Sequence, residues 1–171
     1  MPIVYNNKFV KVYKENFFYK KKKFKNFHQV FLNNAVMAII INPNKEILLT
    51  KEYRRGVKKI MYGFPGGHIN KNENPSVAIK REVFEETGLR CARWKRILTY
   101  VKDTTYFCGR DYLFVCRALG FKNLKKQSGE IENLVWVNIA TFEKILGEKD
   151  NSAGFIASGL FFLKKKYLYI Y

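Results

Sequence analysis

Gly67-His68-Ile69-Asn70-Lys71-Asn72-Glu73 leads through Asn74-Pro75-Ser76-Val77-Ala78-Ile79-Lys80 into Arg81-Glu82-Val83-Phe84-Glu85-Glu86-Thr87-Gly88-Leu89. This stretch carries helix punctuation at both ends. Asn74 is a good N-cap, Pro75 suits the first helical position and Gly88 supplies the stop. The pattern predicts a helix from about Pro75 to Thr87. On such a helix Glu82, Glu85 and Glu86 fall within an arc of about 100°, because positions i, i+3 and i+4 share a face. Ala78 sits on the same arc one turn earlier and leaves space beside the acids. Val77, Ile79, Val83 and Phe84 flank the arc and are read as the helix's apolar anchors.

Three carboxylates pointing one way repel by roughly 0.2 to 0.5 kcal/mol per exposed pair, and by more where water is excluded. A solvated acidic face is one reading of such a cluster. A hard divalent cation is the other: Mg²⁺ or Mn²⁺ takes oxygen ligands and leaves coordination positions for phosphate and water. Arg81 lies one turn before Glu85 and can pair with it, and Glu73 can reach back to Arg81 across the junction between loop and helix. Arg81 is therefore expected to support the acids structurally.

The same residues match, position by position, the pattern Gly-x5-Glu-x7-Arg-Glu-U-x-Glu-Glu-x-Gly-U, with U aliphatic, and so the chain resembles the Nudix hydrolases. Phe64-Pro65-Gly66-Gly67 resembles the segment that precedes the box in that family. The resemblance implies an α/β fold, the Nudix-type α/β/α sandwich with a mixed sheet. It implies an enzyme that hydrolyses a diphosphate linkage in a nucleoside diphosphate derivative with Mg²⁺ or Mn²⁺. Carried over residue by residue, it makes Glu82 and Glu86 metal ligands, places Glu85 on the metal or on its water, and adds the Gly66 carbonyl as a ligand. The general base in several members is a glutamate before a late strand. Here Glu130 is assigned as base or water-positioner and Glu132 as an added ligand, both standing before Leu134-Val135-Trp136-Val137.

Outward from the box, Ala35 to Ile41 is a continuous apolar run of strand length, Asn42 to Lys45 a turn, and Glu46 to Lys51 a returning strand. Residues 8 to 32 read as two short basic strands. Residues 52 to 74 read as loop, since their glycines and Pro65 discourage a regular element. Strands are expected at Cys91 to Lys102, Arg110 to Ala118 and Ile131 to Val137, a basic loop at 120 to 130, and helices at about Ala140 to Leu146 and Ala153 to Tyr167. The organisation expected is an N-terminal β extension over residues 1–33, related to dimer formation, and a catalytic domain over 34–171.

Composition bounds the rest. A chain of 171 residues with 47% hydrophobic content suits one domain with a substantial core. The apolar run from Ala35 is too short to span a bilayer and the basic N-terminus lacks a signal-peptide pattern, so a cytoplasmic protein without membrane contact is expected. Cys91, Cys108 and Cys116 form no CxxC pair and read as reduced thiols. The formal charge of +18 is dispersed along the chain; it fits either a lysine-rich composition or a surface for RNA.

Substrate choice rests on weaker sequence signals. Glu52-Tyr53-Arg54-Arg55 resembles the aromatic-Arg segment of ADP-ribose pyrophosphatases, which makes Arg54 a candidate substrate ligand. The layout also resembles ADP-sugar-cleaving homodimers. Two departures count against that subgroup: no proline follows Pro75, and Gly63 stands where those enzymes often have Glu. The leading expectation is hydrolysis of ADP-ribose or another nucleotide sugar. The alternatives are an RNA 5′-end or nucleoside-triphosphate pyrophosphohydrolase, and a non-catalytic nucleotide sensor.

Overall fold

The computed structural model describes residues 1–102, 104–120, 131–148 and 154–164. Strands β1 (Ile3–Asn6), β2 (Val10–Tyr19) and β3 (Lys22–Leu32) precede the central pair β4 (Ala35–Ile41) and β5 (Ile47–Arg54). Then come β6 (Lys59–Gly63), β7 (Gly66–His68), helix α1 (Pro75–Thr87), β8 (Cys91–Tyr100), β9 (Phe107–Cys108), β10 (Asp111–Ala118), β11 (Ile131–Val137), α2 (Ile139–Gly147) and α3 (Gly154–Phe162). No helix among the described residues is long and apolar enough to cross a membrane.

Strands β11-β5-β4-β10-β8 run side by side in the main sheet, with β6 added on β5 and β7 on β4. The pairing of β4 with β10 is parallel and the others in this sheet are antiparallel, so the sheet is mixed. β4 explains the unbroken apolar run, because it is covered on both faces. Met37, Ile39 and Ile41 pack with Phe142 of α2 and Ile156 of α3, whereas Val36, Ala38 and Ile40 pack with Ala78, Ile79 and Val83 of α1. One strand with period-2 side chains thus feeds two cores, and the helices on opposite faces make the sandwich.

The N-terminal strands form a second sheet, ordered β1-β2-β3-β9, whose last strand comes from the middle of the chain. β2 and β3 are each longer than the short strands expected. Their two-residue connection, Lys20-Lys21, holds positive φ values of 46° and 64°, the left-handed pair that lets a tight turn match the strand twist.

Three sequence expectations need correction. Residues 52–74 are not one loop: β5 continues to Arg54, β6 pairs with it, and β7 pairs with β4. Glycine discourages isolated strands, but here the hydrogen-bonding partners come from strands already in place. Val77 and Phe84 do not anchor α1; both face outward, at 58% and 48% exposure, and the buried stripe is Ala78, Ile79, Val83 and Thr87. The strand expected to reach Lys102 ends at Tyr100. The basic loop at 121–130 and the C-terminal continuation to Tyr167 lie outside the described residues.

Replacing Lys20-Lys21 by Asn-Gly removes the steric penalty of two left-handed lysines and is expected to stabilise the hairpin by about 1 kcal/mol. A urea titration followed by tryptophan-independent far-UV signal checks it; an unchanged or lower midpoint contradicts this account of the turn.

Candidate active site

Helix α1 starts and stops where its caps dictate. Asn74 accepts from the Ser76 amide at 2.8 Å, Pro75 occupies the first turn, and Gly88 ends the helix at φ 68° with its amide on the Phe84 carbonyl. The helix therefore has a fixed phase: the Ala78-Ile79-Val83 stripe faces the sheet, and the acids come out along the side that meets β7.

Arg81 is the hub of that side. Its guanidinium binds Glu73 through two nitrogens at 2.9 and 2.8 Å, Glu82 at 2.8 Å, Glu85 at 3.1 Å, and the His68 carbonyl at 3.1 Å. Glu73 also accepts from the Asn70 amide at 2.9 Å. These contacts hold the Glu73 carboxyl at about 2, Arg81 first and the Asn70 amide second, and they push the Arg81 guanidinium further up from its ordinary value. The loop before the helix is thereby tied to the helix itself.

Glu82 and Glu86 lie against the glycine pair of β7. The Glu82 carboxylate occupies the space that a Cβ on Gly67 would need, so no side chain can be placed there without moving the acid. Glu86 accepts from the Gly66 amide at 2.8 Å. Burial pushes the Glu86 carboxyl up to about 8; the Gly66 hydrogen bond works in the opposite direction, and the charges of Glu52 and Glu82 add to the rise. Glu85 is the most exposed of the three, its side chain about half open to solvent.

Glu52, given no role in the sequence, is one acid that the fold brings to the site. It is buried at 8% exposure on β5, accepts from Thr50 Oγ1 at 2.5 Å and pairs with Arg54 at 3.0 Å. Gly63, opposite Thr50, makes room for this group: a Cβ there would sit 2.9 Å from Thr50 Oγ1 and 3.4 Å from the Glu52 and Arg54 head groups. A signal was available, since Leu48, Thr50 and Glu52 alternate onto one face of a strand whose Leu48 packs in the α1 core.

A cleft of about 620 Å³ opens beside the glycine pair, within the size range of nucleotide pockets. Met37, Phe64, Tyr100 and Phe155 give it apolar walls, and Arg54, Lys102, Asp111 and Ser158 its polar groups. Arg54 thus reaches the cleft while Glu52 holds its guanidinium. Glu132 stands exposed at the start of β11 and does not line the cleft. Glu130 lies outside the described residues.

The donor set suits a hard divalent cation. The Glu82 and Glu86 carboxylates meet at the Gly66-Gly67 backbone, and a cation there would neutralise a buried acid that faces two others. In the arrangement seen, no three His, Cys, Asp or Glu side chains among the described residues gather closely enough to hold an ion by themselves, because Arg81 draws Glu82 and Glu85 to itself.

The family model described as the NUDIX domain matches residues 31–158. This chain belongs to the Nudix family. Among its relatives, an 8-oxo-dGTP diphosphatase of Buchnera aphidicola is 40% identical over 46% of this chain and 68% of its own length. The methanol dehydrogenase activator of Bacillus methanolicus is 28% identical over 52% of this chain, which spans about half of that protein (48%). The ADP-ribose pyrophosphatase of Bacillus subtilis is 22% identical over 57% of this chain and 53% of its own. The solved structure of an ADP compounds hydrolase superposes with a TM-score of 0.77 at 20% identity, covering 96% of this chain and 89% of that one, and so shares the Nudix fold.

The sign of the Glu86 shift sets a pH dependence. A carboxyl near 8 in the folded protein and near 4.5 when unfolded stabilises the metal-free fold at low pH, and that stability is lost as pH rises between these values. Without metal, the stability advantage of Glu86→Gln over wild type is therefore expected to grow from pH 5 to pH 8 and then level off. Urea midpoints at pH 5, 7 and 9 in chelator test this; a difference independent of pH contradicts it. Because an ion must displace that proton, metal affinity measured by calorimetry is expected to rise with pH over the same window.

Proposed function

We propose that this Nudix protein hydrolyses the diphosphate linkage of a nucleoside diphosphate derivative, with ADP-ribose or another nucleotide sugar as substrate and Mg²⁺ or Mn²⁺ as cofactor. The observation that carries the proposal is the meeting of the Glu82 and Glu86 carboxylates with the Gly66-Gly67 backbone, the same glycine pair that lines the cleft of about 620 Å³. The ADP-ribose pyrophosphatase relative supports the substrate class.

In this reading Glu82 and Glu86 hold the ion, the Gly66 carbonyl adds a ligand, and Glu85 sits on the ion or its water. Held by these residues, a divalent ion would supply Lewis acidity toward the phosphate oxygens and the attacking water. Arg81 spaces and orients Glu82 and Glu85, and Glu73 fixes Arg81. Arg54, steadied by Glu52, binds a phosphate oxygen from the cleft wall. Glu130 is assigned as general base or water-positioner and Glu132 as an added ligand. The apolar cleft walls exclude bulk water around the nucleotide.

The N-terminal sheet is proposed as a homodimer surface, since Ile3, Val4, Tyr5, Phe18 and Tyr19 on its strands and Phe9 in the turn before β2 are each more than half exposed. A second reading, nucleoside-triphosphate hydrolysis, is favoured by the 40% identity to an 8-oxo-dGTP diphosphatase. Lysines 20, 22 and 23 stand over the rings of Tyr19, Phe24 and Phe18 on the same sheet and would serve an RNA substrate.

Purified protein incubated with each metal and a panel of ADP-ribose, other nucleotide sugars, nucleoside triphosphates and 5′-triphosphorylated RNA decides among these. AMP and ribose 5-phosphate are the expected products, and Glu86→Gln is expected to lower turnover roughly hundredfold or more. Arg54→Ala is expected to raise KM for ADP-ribose roughly tenfold, the worth of one charge-assisted bond. Pyrophosphate release from triphosphates with ADP-ribose untouched would replace the nucleotide-sugar reading. Sedimentation at micromolar concentration tests the dimer.

A further inference from the structure

Asp111 is a buried carboxylate close to the Ala35 amide and the Tyr100 hydroxyl, with one oxygen in no hydrogen bond among the described residues. It opens β10, its side chain is only 4% exposed, and it lines the cleft. Its Oδ2 faces the Lys102 ammonium at 3.4 Å, whereas Oδ1 is buried and has no hydrogen-bond partner among the described residues. A buried carboxylate oxygen left unmatched in this way is costly, and such groups in a ligand cleft are commonly completed by the ligand. Nothing in the metal cluster uses it: Asp111 touches neither Arg81 nor the α1 acids.

Its place fixes what it can meet. β4 pairs with β7 through Ala35↔His68, Val36↔Gly67 and Met37↔Gly66, and with β10 through Asp111↔Ala35. Asp111 therefore lies two strands from His68, about 10 Å across the sheet, and somewhat further from the glycine pair. That separation is comparable to the length of a nucleoside monophosphate. A phosphate at Gly66-Gly67 would put the ribose over Ala35 and the base beside Asp111, between Tyr100 of β8 and Phe155 of α3, which can hold the flat faces of a ring.

We infer that Asp111 reads the nucleotide's base, its free Oδ1 accepting a hydrogen bond from an N–H on the base edge. The inference rests on the cleft being the nucleotide site of the proposed hydrolase, and it names the group that selects the base. Burial raises the Asp111 carboxyl above its ordinary range, the Lys102 ammonium works against that rise, and Lys102 also offers a donor to a neighbouring ring nitrogen or carbonyl. Bases that present an amino or ring N–H on that edge satisfy the pair; an unsubstituted purine, which presents none, leaves Oδ1 stranded.

The test compares AMP, GMP and purine riboside 5′-monophosphate by titration calorimetry with Mg²⁺, alongside turnover of the preferred diphosphate. Wild type is expected to bind AMP or GMP roughly 10- to 100-fold more tightly than the purine nucleotide. Asp111→Ala is expected to bring the three within about threefold of each other, and Asp111→Asn, which keeps a neutral acceptor, to fall between. Unchanged discrimination in Asp111→Ala overturns the inference. Equal weakening of all three ligands also overturns it, because that is the mark of a purely structural role. Those results with wild-type turnover intact sink the inference alone; a wild type that neither binds nor turns over any nucleotide sinks the proposed function beneath it.

Discussion

One guanidinium facing three carboxylates is the arrangement on which the site depends. Arg81 neutralises Glu73 and Glu82 at short range and Glu85 more loosely, while its fourth contact, the His68 carbonyl, ties β7 to the same group. Without it, α1 would present a row of like charges to a backbone that already carries Glu86. With it, two of the helix acids are held in fixed positions and the third, Glu86, is left to the Gly66 amide. The ion pairs with Glu73 and Glu82 are largely shielded from solvent, so they count for more than surface pairs of equal length, and losing the arginine would strand both acids.

The sandwich gives that cluster its position relative to the cleft. β7 adds to the start of β4, and α1 follows it after a short loop, so the acids arrive at one end of the central strand. β10 begins next to the same end of β4, on its other side, and α3 covers the opposite face. Charge-bearing groups thus sit at the glycine pair while the apolar walls and Asp111 lie further along.

The parts of this design that could be read from sequence are those fixed by local geometry. The caps Asn74 and Gly88 and the i, i+3, i+4 spacing set α1 and its acidic arc, and Arg81 with Glu73 and Glu85 falls within reach by the same helical arithmetic. β6 and β7 were illegible because their stability comes from β5 and β4, not from their own residues. Val77 and Phe84 misled since an apolar flank on a helix wheel does not say which flank the sheet covers. Glu52 and Asp111 look like ordinary surface acids in the sequence. Their importance lies in what the sheet brings to them: Arg54 and Thr50 in one case, Lys102 and the cleft in the other.

The close approach of Gly66 to β4 has a consequence for the folding of the central strand. β4 is apolar on both faces, so sliding it by one residue would exchange one greasy surface for another, and hydrophobic patterning alone gives little protection against that slip. Steric exclusion supplies the missing information. A Cβ on Gly66 would collide with the Val36 carbonyl, so a slip that brought Pro65 to that place is excluded, whereas the opposite slip would bring another glycine, Gly67. The glycine whose amide meets Glu86 therefore also works as a ratchet tooth, blocking the slip of β7 along β4 in one direction.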